Sequence, residues 1–429
     1  IDLSGNRLGL GFFKTLRDMV KAKSLKNLRN LAVADMPLGQ EAFRLLREGF
    51  TNGQLRGVNF ANTSLGRWSQ QSCMEVADLI RTLPSLYSLD LSANHVLHDG
   101  LIAIGSALVE VGVCEVLSLA RNSGNVLPLQ AVHFARDKPR GQEMLGRSLG
   151  HRLSFTYPPM NILAEYMGQL VSLTTLDLSA AQCTDETAVL LHAELMDHSS
   201  ILRIVIQDNC LGTTGLRAMI CLLCSPRNTL KEVDLLSCHR EAATGVRTVY
   251  NLTDPSGTYA FGLENPFCRA VVRQCQQRGA DSGRPLEHTM QRLVLDHQPR
   301  AAFGRDGRGK WDVPREGFVA FTCCVPFKTD QGATKAGTVG HEPWEEHVTP
   351  ITWDVFRRLH ACFRESCSDE LSKCAFLTAA SHDHILTGDM LVTLCQDERG
   401  PVRLAATATF NNGRLRSAFP AAPLLDDLA

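Results

Sequence analysis

Apolar residues recur along this chain at one fixed spacing. In "LYSLDLSANHVLHDG", Leu86, Leu89 and Leu91 are followed by Asn94 and then by Gly100. The same template, L-x-x-L-x-L-x-x-N-x-L, fits stretches beginning at Leu28, Leu55, Leu86, Cys114, Leu173, Ile201 and Leu230. A weaker copy begins at Met290, and Ile1 to Leu8 reads as the tail of an earlier one. The asparagine-equivalent positions are 6, 36, 63, 94, 122, 181, 209, 238 and 298, so the steps are 30, 27, 31, 28, 59, 28, 29 and 60 residues. Registered copies at such a period predict a solenoid. The two long steps each predict a degenerate repeat or an insertion.

The spacing has a physical reading. Leu-x-Leu puts two side chains on one face of a short strand. The residues that follow have helical periodicity, as in Leu101, Ile104 and Leu108, or Leu216, Met219, Ile220 and Leu223. One strand and one helix cannot bury their apolar sides alone, whereas stacked copies share a continuous core. The asparagine amide is suited to backbone groups in the loop that leaves the strand. Met36, Thr63, Ala181 and Cys238 replace it and predict less regular turns. Gly100 and Gly215 suit the bend into the helix. Strands stack about 4.8 Å apart and helices about 8–10 Å apart, so the stack must curve with its sheet inside.

These residues resemble leucine-rich repeats of the ribonuclease-inhibitor-like type over about residues 1–298. The resemblance implies an α/β fold: a curved horseshoe solenoid, parallel sheet inside and helices outside. It implies binding of other macromolecules rather than an enzyme.

The pattern lapses at about 123–159 and 239–262, two surface insertions that leave the strand at the same place in the unit. In the first, "RLSF" reads as a degenerate strand and "MNILAEYMGQLV" as its helix; a further helix is expected around Glu264–Gln277. Residues 299–350 read as linkers around "FVAFTCCVPF", a strand whose apolar residues suit a cap on the solenoid's open end. Residues 351–429 read as a small mixed α+β domain: helices, then a hairpin around Asn412–Gly413. Two of the helices flank a loop with a central Ile385 and resemble a degenerate EF-hand. That likeness places Thr378, Ala380, His382 and Asp389 at ligand positions, of which only Asp389 is a useful ligand, so no calcium is expected.

The strand positions between the leucines face the concave side. They are Asp2, Ala32, Asn59, Asp90, Ser118, Asp177, Val205, Asp234 and Val294, with mostly small residues, from Ser4 to Asp296, in the next column. We take Asp2, Asn59, Tyr87, Asp90, Asp177 and Asp234 as the candidate binding residues. An acidic inner column attracts a basic segment of a partner protein. The competing explanation is an ordinary solvated sheet face with aspartates serving local turns.

Composition narrows the function. A net charge of −1 over 429 residues argues against nucleic-acid binding by bulk charge. Fifteen scattered cysteines, some at helix-face spacing, suit reduced thiols in a cytoplasmic setting. No apolar run is long enough to span a membrane. The chain begins inside the pattern and without Met, as a piece of a longer protein would. "GRDGRGKW" starts like a phosphate-binding loop but carries Trp311 where Ser or Thr is needed. "SHDHILTGD" and the nearby cysteines lack zinc spacing. No catalytic set, metal site or cofactor site is assigned. The expectation is a non-enzymatic protein-protein interaction scaffold within a larger complex. Repeats joined to an EF-hand-like module resemble scaffold proteins of cilia, flagella and axonemes, which implies a cytoskeletal location. The alternatives are the sensor arm of a larger receptor and, from the likeness of such repeats to GTPase-activating proteins for Ran, a regulator of that kind.

Overall fold

The computed structural model describes residues 1–122, 157–238, 257–324 and 350–398, apart from 52, 53, 68, 282, 284, 297, 301, 308, 382 and 397, together with 402, 403 and 406. The hairpin expected around Asn412–Gly413 lies outside these residues.

The repeats build strand–helix units as expected. Strands β1 (Asn30–Ala32), β2 (Gly57–Asn59), β3 (Ser88–Asp90), β4 (Val116–Ser118), β5 (Thr175–Asp177), β6 (Arg203–Val205) and β7 (Glu232–Asp234) form one parallel sheet in chain order. The central residue of each, from Leu31 to Val233, is buried. Asp2 adds a bridge beside Ala32, so the sheet begins at the first residues of the chain. Helices α1 (Leu10–Lys21), α2 (Gln40–Phe50), α3 (Gln71–Arg81), α4 (His98–Val111), α5 (Met160–Met167), α6 (Asp185–Leu195) and α7 (Thr213–Cys224) pack side by side along the other face. Leucines from both layers form one continuous core.

Asparagine knits the turns. Asn94 Oδ1 accepts from Thr63 N at 3.0 Å and Leu65 N at 2.9 Å, and its Nδ2 donates to Phe60 O at 2.8 Å and Leu91 O at 3.0 Å. Asn122 and Asn209 likewise tie their own turns to the preceding ones. Two of the turns lacking asparagine are less regular, as expected: Ser64 and Gln182, just after Thr63 and Ala181, have a φ of 60°, unlike the residues after Asn94 and Asn209. The turns otherwise keep their shape. Asp35, Asn62, Ala180 and Ser237, ahead of Met36, Thr63, Ala181 and Cys238, keep the positive φ of Ala93, Arg121 and Asp208. Neighbouring asparagines supply part of the reason, and substitutes the rest: Thr63 Oγ1 donates to Phe60 O at 2.9 Å, and the Cys238 thiol donates to Ile206 O at 2.8 Å.

Gly100 is not a bend. It lies within α4, where a Cβ would stand 2.5 Å from Gln70 Oε1 and 2.9 Å from Cys73 Sγ, so its role is close approach to α3. Gly215 does the same against Asp185 at the start of α6.

The long steps resolve differently from the reading of the sequence. β4 pairs directly with β5, and α5 follows the first insertion; the degenerate strand expected at "RLSF" lies outside the described residues. Met290–Leu295 is not a further repeat. It is β9 of a second, antiparallel sheet with β8 (Gly257–Gly262), β10 (Gln298–Pro299) and β11 (Phe318–Cys323), in the order β10-β9-β11-β8. Val294 and Asp296 therefore leave the concave column, and Asp296 Oδ1 accepts from Phe318 N at 2.7 Å. Helix α8 (Pro266–Asp281) precedes the short α9 (Leu286–Thr289) and packs across α5 and α6.

The open edge of β7 is capped by a helix, not by the strand expected at "FVAFTCCVPF", whose Phe318–Cys323 is the inner strand β11. Helix α10 (Trp353–Ser366) lies against β7 and α7, followed by α11 (Glu370–Ser381) and α12 (Gly388–Cys395). Its side chains replace a neighbouring strand. Arg358 donates to Leu230 O at 2.7 Å, Cys362 Sγ to Val233 O at 3.1 Å, and Ser366 Oγ accepts from Leu235 N at 2.9 Å. Backbone groups at a buried sheet edge need such partners. The EF-hand resemblance fails here. Thr378 and Ala380 sit inside α11, Thr378 Oγ1 bonds Cys374 O within the helix at 2.8 Å, and Asp389 lies in the first turn of α12. His382 lies outside the described residues.

Candidate functional site

The first three strands, with Val113 and Glu115 ahead of β4, open onto a groove of about 1030 Å³. Asp2, Asn59, Tyr87 and Asp90 line it together, with Ile1, Arg56, Gly57, Val113 and Glu115. Tyr87 is 47% exposed there. Gly57 keeps the floor low: a Cβ on it would meet Asn30 Oδ1 at 2.6 Å. Asp177 and Asp234 stand further along the same sheet face, on β5 and β7, and are not part of the groove.

Every member of the acidic column commits one oxygen to its own turn. Asp2, Asp90 and Asp177 accept from the backbone N–H of Ser4, Ser92 and Ser179 at 2.9, 2.9 and 3.0 Å. Asn59 accepts from Ala61 N at 2.8 Å and Asp234 from Leu236 N at 3.1 Å. The Ser4 hydrogen bonds, side chain first, hold the Asp2 carboxyl below its usual range. Local turn chemistry thus explains why aspartate or asparagine recurs at this position. It does not cancel the charge. Among the described residues Arg203 pairs with Glu232 at 2.8 Å, and none of these aspartates makes a salt bridge.

The residues missed by reading alternate strand positions are Arg56, Val113 and Glu115, because they precede the strands. Aligning the position just ahead of each strand gives Arg29, Arg56, Tyr87, Glu115, Thr174, Leu202 and Lys231, a column available from the sequence.

One other cluster holds the residue types of nucleophilic chemistry. His192, Cys221 and Asp383 meet between α6, α7 and the loop joining α11 to α12. Burial, with Asp383 adding to it, pushes the Cys221 thiol well above its ordinary range. Burial, with Arg278 nearby, pushes His192 down to about 4. A thiol held neutral is not an activated nucleophile. Asp383 is committed to Arg217 through two contacts of 2.9 Å. The phosphate-loop-like segment is likewise occupied: Lys310 pairs with Glu194, and Arg305 lies 4.1 Å over the Trp311 ring. Among the described residues no group of three or more His, Cys, Asp or Glu could hold a metal.

No protein-family model matches the chain. Over 226 residues, 52% of its length, it is 25% identical to ribonuclease inhibitor of Sus scrofa. The chain is a leucine-rich-repeat protein of the ribonuclease-inhibitor-like type. Over 243 residues it is 24% identical to NACHT, LRR and PYD domains-containing protein 14 of Mus musculus. The chain spans 48% of the first relative and 23% of the second. The tropomodulin C-terminal domain of Caenorhabditis elegans shares 16% identity at a TM-score of 0.30, over 43% of this chain and 90% of that domain. A likeness that small carries no argument. Among the described residues of this leucine-rich-repeat protein, no helix is long and apolar enough to cross a membrane.

Proposed function

We propose that the repeat arm is a non-enzymatic protein-interaction scaffold whose concave face takes a polypeptide partner. The observation that carries this reading is the open groove on β1 to β3, where Asp2, Asn59 and Asp90 stand around the aromatic Tyr87. Buried aromatic anchors are where binding energy concentrates. Basic residues of the partner lie over the column Asp90, Asp177 and Asp234. The test is quantitative capture from an extract by the wild-type chain and by Asp90→Lys, Asp177→Lys, Asp234→Lys and Tyr87→Ala variants. Selective loss of one captured species supports the reading, and recovery unchanged in every variant removes it. Within this reading the scaffold belongs to a larger cytoskeletal, ciliary or flagellar assembly, and sedimentation with tubulin or axonemal fractions checks that placement.

A second reading, the sensor arm of a larger receptor, draws on the likeness to a mouse protein whose name records NACHT and PYD domains beside its repeats. An upstream nucleotide-binding domain in the full-length transcript decides for it.

A further inference from the structure

The residues ahead of the strands form a ladder of their own. Arg56 N donates to Arg29 O at 2.6 Å, Tyr87 N to Arg56 O at 2.7 Å, and Glu115 N to Tyr87 O at 2.8 Å. Arg29, Arg56 and Tyr87 therefore occupy consecutive rungs, about 4.8 Å apart. All three are exposed, and the latter two line the groove. The C-terminal end of α1 and the loop after it add Lys21, Lys23 and Lys26, also exposed. Among the described residues none of these five cations has an ion-pair partner. Their neighbours differ: Arg17, Arg47 and Arg81 on the adjoining helices bind Glu48, Asp78 and Glu110.

This arrangement opposes stability. Clustered like charges repel. Lys23 has a φ of 60°. It closes α1 by donating from its N–H to Val20 O at 2.9 Å, while Ser24 N reaches Met19 O at 3.0 Å. That closure favours glycine, yet a charged residue stands there.

We propose that this basic rim reads an acidic polypeptide segment, seating its carboxylates on Arg29, Arg56 and the adjacent lysines and an apolar side chain against Tyr87 and Val113. The proposal rests on the groove reading and adds the sign of charge at its mouth. Neighbouring guanidinium groups match carboxylates with two parallel hydrogen bonds each. A concave groove about 1030 Å³ in volume admits a chain segment, whereas a flat bilayer surface does not reach its floor.

The experiment measures binding of a fluorescein-labelled peptide of alternating Glu and Leu to the full chain by anisotropy. Gln and Lys analogues, and phosphatidylcholine vesicles with or without phosphatidylserine, are run alongside. The Glu peptide is expected to bind and its Gln analogue not to bind at the same concentration, while binding of the Lys analogue depends on the aspartate column and not on Arg29 and Arg56. Arg29→Glu with Arg56→Glu weakens Glu-peptide binding about tenfold or more, and raising salt weakens it further. Lys23→Gly removes a charge while easing the backbone, so it weakens binding about twofold with an unchanged or higher melting temperature. Equal binding of the Glu and Gln peptides overturns the proposal, as does indifference to the charge reversals. So does phosphatidylserine-dependent vesicle binding that the Glu peptide does not compete away. If the rim is silent while the captured partner still depends on Tyr87 and Asp90, the rim proposal falls alone. If none of these residues matters, both readings fall.

Discussion

The Arg217 guanidinium grips the Asp383 carboxylate through two hydrogen bonds of 2.9 Å, joining residues 166 apart in the chain. Their side chains are 14% and 7% exposed, so the pair is a buried clamp between α7 and the C-terminal helices. Arg217→Met leaves a buried carboxylate unmatched and is expected to destabilise the cap by about 3–5 kcal/mol. Limited proteolysis is expected to release α11 and α12 from the variant before the solenoid unfolds. Replacing both partners by apolar residues of similar volume is expected to recover most of the loss.

Asn94 serves five backbone groups of two turns. Thr63 Oγ1 also reaches Phe60 O and Asn122 Nδ2 also reaches Leu91 O, so the groups that depend most on Asn94 are the N–H donors of Thr63 and Leu65. Asn94→Ala strands the buried N–H groups of Thr63 and Leu65, at about 1–3 kcal/mol for each one left unsatisfied. A large drop in the denaturant midpoint is expected. Asn94→Asp, which keeps the acceptor and loses the donors, is expected to be milder than Ala at its accepting side and no better at its donating side.

Acid sensitivity is expected in two windows. His192 is buried, and burial, with Arg278 adding to it, lowers its pKa from 6.5 to about 4. An unfolded chain takes up this proton first, so stability is complete above pH 6.5 and declines as pH falls toward 4. His192→Gln is expected to flatten that decline in a melting-temperature series.

The second window belongs to Glu165. Burial raises its pKa, but Arg269 at 2.5 Å and Arg273 at 2.9 Å, through hydrogen bonds and charge, reverse this and hold it at about 2. This depressed value contributes stability above pH 4.5 that is lost as pH falls toward 2, roughly 3 kcal/mol in all. Glu165→Gln is expected to loosen α8 from α5 at neutral pH and to abolish the acid loss in that range.

The repeats were legible because period and leucine register are local properties. Leu31, Val58, Leu89, Leu117, Leu176, Ile204 and Val233 are the buried strand centres that the spacing marks. What stayed hidden was tertiary. Met290, Leu293 and Leu295 carry the same Leu-x-x-Leu-x-Leu spacing, yet β9 pairs antiparallel with β11, since a strand's apolar alternation does not say which neighbour it takes. The cap was misplaced for the same reason: Cys362 and Ser366 meet β7 across about 130 residues of chain, which no local pattern records. At the groove, Asp2, Asn59 and Asp90 could be chosen from alternation and Tyr87 as the aromatic beside them, whereas Arg56 and Glu115 needed the ladder ahead of the strands that Tyr87 shares.

Hydrogen exchange of the full chain, with and without its captured partner, tests the concave-face account most directly. Added protection is expected in peptides covering residues 56–59, 87–90 and 113–118, with the outer helices unchanged. Protection confined to α5, α6 and the antiparallel sheet, with the groove peptides unmoved, would contradict it.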